Sequence, residues 1–294
     1  TIKIDAHCHT DCSDGSLTIE ERIAMIHRLG YEAATITDHD FISDEQVHRA
    51  RRAAGNIPYI PAAEFSACYQ KKTVHILAYF VDENNSDLQE HIQKAQETDR
   101  KITLQILNIL QKRGAQFGMD ELHSSSLHTF YSMQLVKKAA QQLFENDPAR
   151  TMQAFLEIQR DLGIAYADYA PWQVSDIIAL IHSARGIAVL AHPGGKNDAV
   201  MRKLDFYLHD QAAVQQYTAW GLDGIETRCP VHDAAETGFY EELALQYHLL
   251  TTSGSDCHGD DDYLGTALMG KFNDLFQDGY ERIFDRWQES FHVP

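Results

Sequence analysis

Polar and apolar positions alternate from the start of the chain, Ile2 and Ile4 against Lys3 and Asp5, which is the period of a strand. A helix should follow. Thr18 and Glu21 form a T-x-x-E capping box, Ile19, Ile23 and Ile26 repeat at helical spacing, and Gly30 supplies a C-terminal stop. Ala33 to Thr37 reads as a short strand. The unit recurs as a helix from Ser43 to Gly55, a strand at Tyr59 and Ile60, and an apolar run from Val74 to Val81. Further on, Ser175 caps a helix with Ile177, Ile178 and Ile181 that Gly186 ends, and Ile187 to Ala191 forms a short buried strand. Gly224 to Glu226 and Leu250 to Ser253 complete the candidate strands. Strands alternating with helices predict an α/β chain with a parallel sheet or barrel, whose reactive groups collect at the carboxyl ends of the strands.

The pattern changes between residues 99 and 170. Leu104, Ile106, Leu107, Ile109 and Leu110 read as helix, and no clear strand alternation returns before Ile187. The chain therefore divides into a first part of the barrel, 1–98, a helical insertion, 99–170, and a second part of the barrel, 171–294.

The segments meant to bury strands carry the wrong residues at their ends. His7-Cys8-His9 with Asp14, Asp38-His39, Glu64 with His75, His192, and Asp256-Cys257-His258 all fall at or just after a predicted strand. On an extended backbone both rings of a His-x-His pair point to one side, good geometry for holding a single ion, and Cys8 and Cys257 point away from it. One such histidine alone is more often a hydrogen-bonded polar residue. Several meeting at one end of a sheet would be costly to bury without a cation, and the mixture of imidazole and carboxylate suits manganese, iron or zinc. His27, His48, His91, His209, His248 and His292 sit in helical or terminal contexts and read as surface residues.

Charge narrows the partners. With Lys+Arg 25 against Asp+Glu 43 the net charge is -18, which disfavours long DNA and anionic membranes. The cysteines number 5, an odd count, and lack C-x-x-C spacing, and no run of about 18 apolar residues could span a bilayer. These features fit a cytoplasmic enzyme in a reducing compartment.

The ordered motifs HCHTDCSDG, TITDHD, the isolated Glu64 and His75, VLAHPGG and GSDCHG resemble those of the PHP (polymerase and histidinol phosphatase) family. Within it they are most similar to the TrpH-like branch of nucleoside-phosphate phosphatases and 5′-3′ exoribonucleases acting on short RNA. That resemblance implies a distorted (β/α)7 barrel with two or three divalent metal ions, manganese first, iron or zinc next. His7, His9, Glu64 and Asp256 would hold one ion. Glu64, His75 and His192 would hold a second, and Asp14, His39 and His258 a third. Glu64, Asp256 and His192 would stand at the catalytic centre, with Asp38 behind them orienting a ligand imidazole. The implied reaction is hydrolysis of a small phosphomonoester, such as a nucleoside 3′,5′-bisphosphate, by a hydroxide bridging the metals. Exonuclease action on short RNA and a non-catalytic metal-binding module are the alternatives.

Candidate phosphate contacts are Arg100, Lys101, Ser132, Arg185, Arg228 and His232, the last also a candidate leaving-group acid. The branch commonly carries an Arg-Pro-His stretch in its insertion, whereas this chain reads LHTFYSMQLVKK there and offers no arginine. Tyr166, Tyr169 and Trp172 read as aromatics that pack the insertion against the barrel.

Overall fold

A computed structural model of the chain describes residues 4–259. The expected strand at residues 2–5 lies partly outside them, and His292 entirely so. Six strands form one sheet in the order β1 (Ala34–Ile36), β2 (Tyr59–Tyr69), β3 (Lys72–Tyr79), β4 (Ile187–Leu190), β5 (Gly224–Arg228), β6 (Leu250–Ser253). The sheet is mixed rather than parallel: β3 runs antiparallel to both β2 and β4, and the remaining pairs are parallel. The cause is a two-residue hairpin. Gln70 and Lys71 both take left-handed φ, 51° and 65°, the conformation that reverses a strand most tightly.

The chain before the first helix closes the curl of the sheet. Residues 6 to 9 bond on one side to the end of β6 and the segment following it, through Ala6 N–H to Ser253 O and His9 N–H to Cys257 O. On the other side Thr37 N–H donates to Cys8 O at the end of β1. The α/β architecture of a curled half-barrel is thus met, with this segment as a seventh stave.

Alternation along the strands separates two apolar layers. Ile60, Ala62, Leu77, Tyr79, Ile187 and Val189 fill the interior with Ile4 and Ala6. Ala63, Phe65, Ile76, Ala78, Ala188 and Leu190 face outward. They meet helices α1 (Ile19–Arg28), α2 (Asp44–Ala54) and α6 (Val174–Ser183) through Ile23, Val47 and Ile178. The Thr18–Glu21 capping box and the Ser43 cap start α1 and α2 as expected. Ser175 does not cap α6; the helix begins a residue earlier, with Gln173 at the cap position.

α3 (Ser86–Lys112) runs without a break through residue 99. Its first turns give Leu88 and Ile92 to the barrel's outer layer, and its later turns give Ile106, Leu107 and Leu110 to a separate core. That core is completed by Leu135 of α4 (Tyr131–Leu143) and by Phe155 and Ile158 of α5 (Pro148–Leu162). Each such side chain is worth roughly 1.5–3 kcal/mol of burial, so the insertion is held by an apolar layer of its own. Beyond it, α7 (Ala199–Lys203), α8 (Gln211–Ala219) and α9 (Ala234–Tyr247) follow β4 and β5. No described helix is long and apolar enough to cross a membrane.

Candidate metal centre

Nine side chains converge where the strands end. The interior row of β2 that carries Ile60 and Ala62 continues to Glu64, and the interior row of β3 that carries Tyr79 and Leu77 continues to His75. Because Glu64 pairs with Leu77 and Ser66 with His75, Glu64 and His75 sit diagonally on one face, and His75 Nδ1 lies 2.9 Å from Glu64 Oε1. The same oxygen is 3.0 Å from His192 Nε2. Glu64 Oε2 faces His7 Nε2 at 3.1 Å, His39 Nδ1 at 3.2 Å and His9 Nε2 at 3.4 Å. One carboxylate thus joins five imidazoles.

Backbone irregularity aims two of the groups. Ala188 and Leu190 face outward, so regular alternation would turn His192 away from the interior; instead its φ is 25° and its ring meets Glu64. Asp256 has φ 52° and presents Oδ1 to His9 Nε2 at 3.0 Å and to His7 Nε2 at 3.3 Å. Left-handed φ in non-glycine residues costs free energy and persists where surroundings enforce it.

Donor atoms mutually within 4.8 Å fall into three sets: His7, His9, Glu64 and Asp256; His9, Asp14, His39 and His258; and His39, Glu64 and His75. The first set is the one the resemblance implied. The second adds His9 to Asp14, His39 and His258. In the third His39 takes the place expected of His192, although His192 touches the same Glu64 oxygen as His75. His7 Nε2, Glu64 Oε2 and His75 Nδ1 are buried without a hydrogen bond. Clustered lone pairs of this kind repel one another unless a cation lies between them, so the residues present fit divalent metal.

The donor groups titrate in opposite directions. Burial alone would favour a neutral Glu64, but His7, His75 and His39 hold it well below the usual carboxylate range. Burial, reinforced by His258 and His39, pushes His9 down to about 3. Against burial, His7, His39 and His192 are driven the other way, His39 up to about 9, because the carboxylates of Glu64, Asp14, Glu226 and Asp256 face them, so these imidazoles would release protons on ligating a metal.

Support for the site comes from groups that the sequence reading missed or misplaced. Glu226, in the middle of β5, is fully buried. Its Oε1 lies 3.1 Å from His7 Nδ1, and its Oε2 accepts from His192 N–H at 2.8 Å. The signal was a carboxylate in a short apolar strand. Asp38, expected to orient an imidazole, contacts none. Its oxygens accept from Thr10 N–H and Oγ1, Ser13 Oγ and Gln46 Nε2, all within 2.6–2.7 Å, and so brace the loop after His9. Cys8 and Cys257 belong to the outer apolar layer, facing away from the donors as expected.

A cavity of about 440 Å³ opens onto the cluster, walled by Asp14, His39, His75, His192, Asp256 and His258 on one side and by the insertion on the other. Of the candidate phosphate contacts only Ser132 lines it. Arg100 and Lys101 are exposed on α3, and Lys101 pairs with Glu97. Arg185 precedes β4, at the end opposite His192, and Arg228 is paired with Glu241 on the surface. His232 holds backbone instead: its Nδ1 donates to Thr227 O at 2.9 Å and its Nε2 accepts from Gly194 N–H at 3.0 Å. With both nitrogens engaged and burial lowering its pKa, it is not placed to protonate a leaving group. His91 and His209, expected at the surface, are buried, the latter between Pro193 O and Tyr217 Oη. Trp172 packs edge-on against His91, whereas Tyr166 and Tyr169 line the cavity.

A family model described as the PHP domain matches residues 5–156, more than half of the chain. The chain belongs to the PHP family. It is 28% identical over 289 residues to a 5′-3′ exoribonuclease of Haemophilus influenzae, covering 94% of this chain and 96% of that one. It is 24% identical over 275 residues to a 3′,5′-nucleoside bisphosphate phosphatase of Chromobacterium violaceum, covering 92% of each. A Bifidobacterium adolescentis structure assigned to the metal-dependent phosphoesterases superposes with a TM-score of 0.76 at 21% identity, over 98% of this chain and 95% of that one, a likeness of fold.

Proposed function

We propose that this PHP chain is a hydrolase that cleaves a small phosphate monoester at a centre of two to three divalent cations, manganese before iron or zinc. The observation that carries the reading is Glu64, whose two oxygens are shared among five imidazoles at the mouth of a cavity. His7, His9, Glu64 and Asp256 would hold one ion, and His9, Asp14, His39 and His258 another. Glu64 and His75, with His39 and His192 beside them, would hold a third. Such ions, when bound, neutralise phosphoryl oxygens and make water acidic enough to attack near neutral pH.

The chain's own part is placement. Glu64 and Asp256 set the spacing of the donor groups, Glu226 fixes the tautomer and direction of His7, and the Asp38 network holds the loop that carries Asp14. The insertion supplies the facing wall of the cavity through Met133, Val136 and Phe155.

The test is inorganic phosphate release from nucleotides by purified protein. Chelation should abolish it, manganese should restore it, and Glu64→Gln should lower the rate at least ~1000-fold with the fold intact, since the shared carboxylate is lost. Unchanged activity in that variant would overturn the reading. The exoribonuclease relative motivates a parallel arm with a short oligonucleotide, where liberated mononucleotides in place of inorganic phosphate would identify the nuclease activity.

A further inference from the structure

The wall of the cavity facing the metal cluster differs in chemistry from the cluster itself. Met133, Val136, Phe155 and Leu204 make much of it apolar. Its charged groups are carboxylates, beside the neutral hydroxyls and amides of Ser132, Gln96, Gln159 and Tyr166. Asp99 of α3 is nearly buried, accepting from Ser132 N–H at 3.1 Å, and Asp40 accepts from Ser66 N–H at 2.8 Å. His128 stacks on Phe41, and its Nδ1 donates to Cys12 O at 2.7 Å. That bond leaves the other ring nitrogen, Nε2, as an acceptor, buried and without a hydrogen-bond partner.

No lysine or arginine is among the described residues lining the cavity. Lys137, next to the lining residue Val136, holds its ammonium on Asp14 O at 3.1 Å. Against the described residues a second phosphate would face two carboxylates and an imidazole lone pair, with only neutral hydroxyl and amide donors to offset its desolvation. A group with N–H or O–H donors meets partners there.

We propose that the substrate carries a single phosphate, held at the metal centre, on a neutral or cationic organic body that presents hydrogen-bond donors to Asp40, Asp99 and His128 from an otherwise apolar cavity. This rests on the phosphoesterase reading above.

The test compares adenosine 5′-phosphate, adenosine 3′,5′-bisphosphate and phenyl phosphate on manganese-loaded protein. Their non-hydrolysable phosphonate counterparts are titrated by calorimetry alongside. The expected order, in kcat/KM and in phosphonate affinity, is adenosine 5′-phosphate first, with the bisphosphate and phenyl phosphate each at least fivefold lower. Asp99→Asn, which keeps an acceptor for Ser132 N–H, should narrow the gap to the bisphosphate at least threefold, and Val136→Lys should do so independently. A bisphosphate preferred in rate or in binding, or a gap that neither variant moves, would overturn the inference. Inert esters combined with the expected order of phosphonate affinities would remove the phosphoesterase reading and leave the single-phosphate preference standing.

Discussion

At the scale of single residues, the centre depends on side chains that never need to touch an ion. Glu226 is the clearest. Its carboxylate sits on the far nitrogen of His7 and on the backbone N–H of His192, so it fixes two imidazoles at once. Partners of this kind raise the basicity of a ligating imidazole and hold its ring in one orientation. Glu226→Gln removes the charge at nearly constant volume. Manganese affinity, measured by titration, is expected to fall about 10–100-fold while circular dichroism stays unchanged. An unaltered affinity would show that His7 is positioned by packing alone.

At the scale of elements, the site is a consequence of how the staves close. The segment after β6 must pass against the one bearing His7, and Gly254 is where they meet. A Cβ there would overlap His7 Cβ and come within 2.9 Å of Glu226 Oε1. Gly254→Ala should therefore push His7 off its line to Glu64, lowering thermal stability by about 1–3 kcal/mol through overpacking and weakening manganese binding in the same protein. Loss of neither would mean that the stave yields freely. The hairpin between β2 and β3 shows the reverse case, a decisive feature with little local signature. Gln70 and Lys71 lack the asparagine and glycine that usually mark such a turn, which is why β3 reads from sequence as one more parallel strand. Its antiparallel course is what places His75 diagonally from Glu64.

At the scale of the molecule, two apolar cores meet across the cavity, and Asp99 lies between them. Burial, only partly opposed by hydrogen bonds from Ser132, raises its pKa from 3.8 to about 6. A carboxyl with a raised folded-state pKa contributes stability that is full below about pH 4 and is lost as pH rises through 6. Relative to Asp99→Asn, the wild type should thus lose stability between pH 4 and pH 7, by on the order of 3 kcal/mol, read as the difference between the two denaturation midpoints. A difference flat across that range would place Asp99 in a solvated setting.

The periodicity of isoleucines and the capping residues were enough to read the α/β class from the sequence, and the His-x-His and Asp-x-His motifs at strand ends pointed to the residues proposed here as donors. These are local signals, carried by neighbours in the chain, and each reports a cost that must be met wherever the segment lies. Which donors share an ion, which charges face the substrate, and which histidines are buried depend on contacts between residues far apart in sequence. Glu226 reaches His7 across 219 positions, and Asp99 meets the cavity only because α3 spans both cores. Arg228 and His232 looked eligible as phosphate contacts until folding gave them Glu241 and the backbone as partners. The sequence by itself determined what chemistry the chain can hold, because donor type is a property of the residue. Tertiary structure decided where that chemistry is aimed, because direction and charge balance are properties of surroundings.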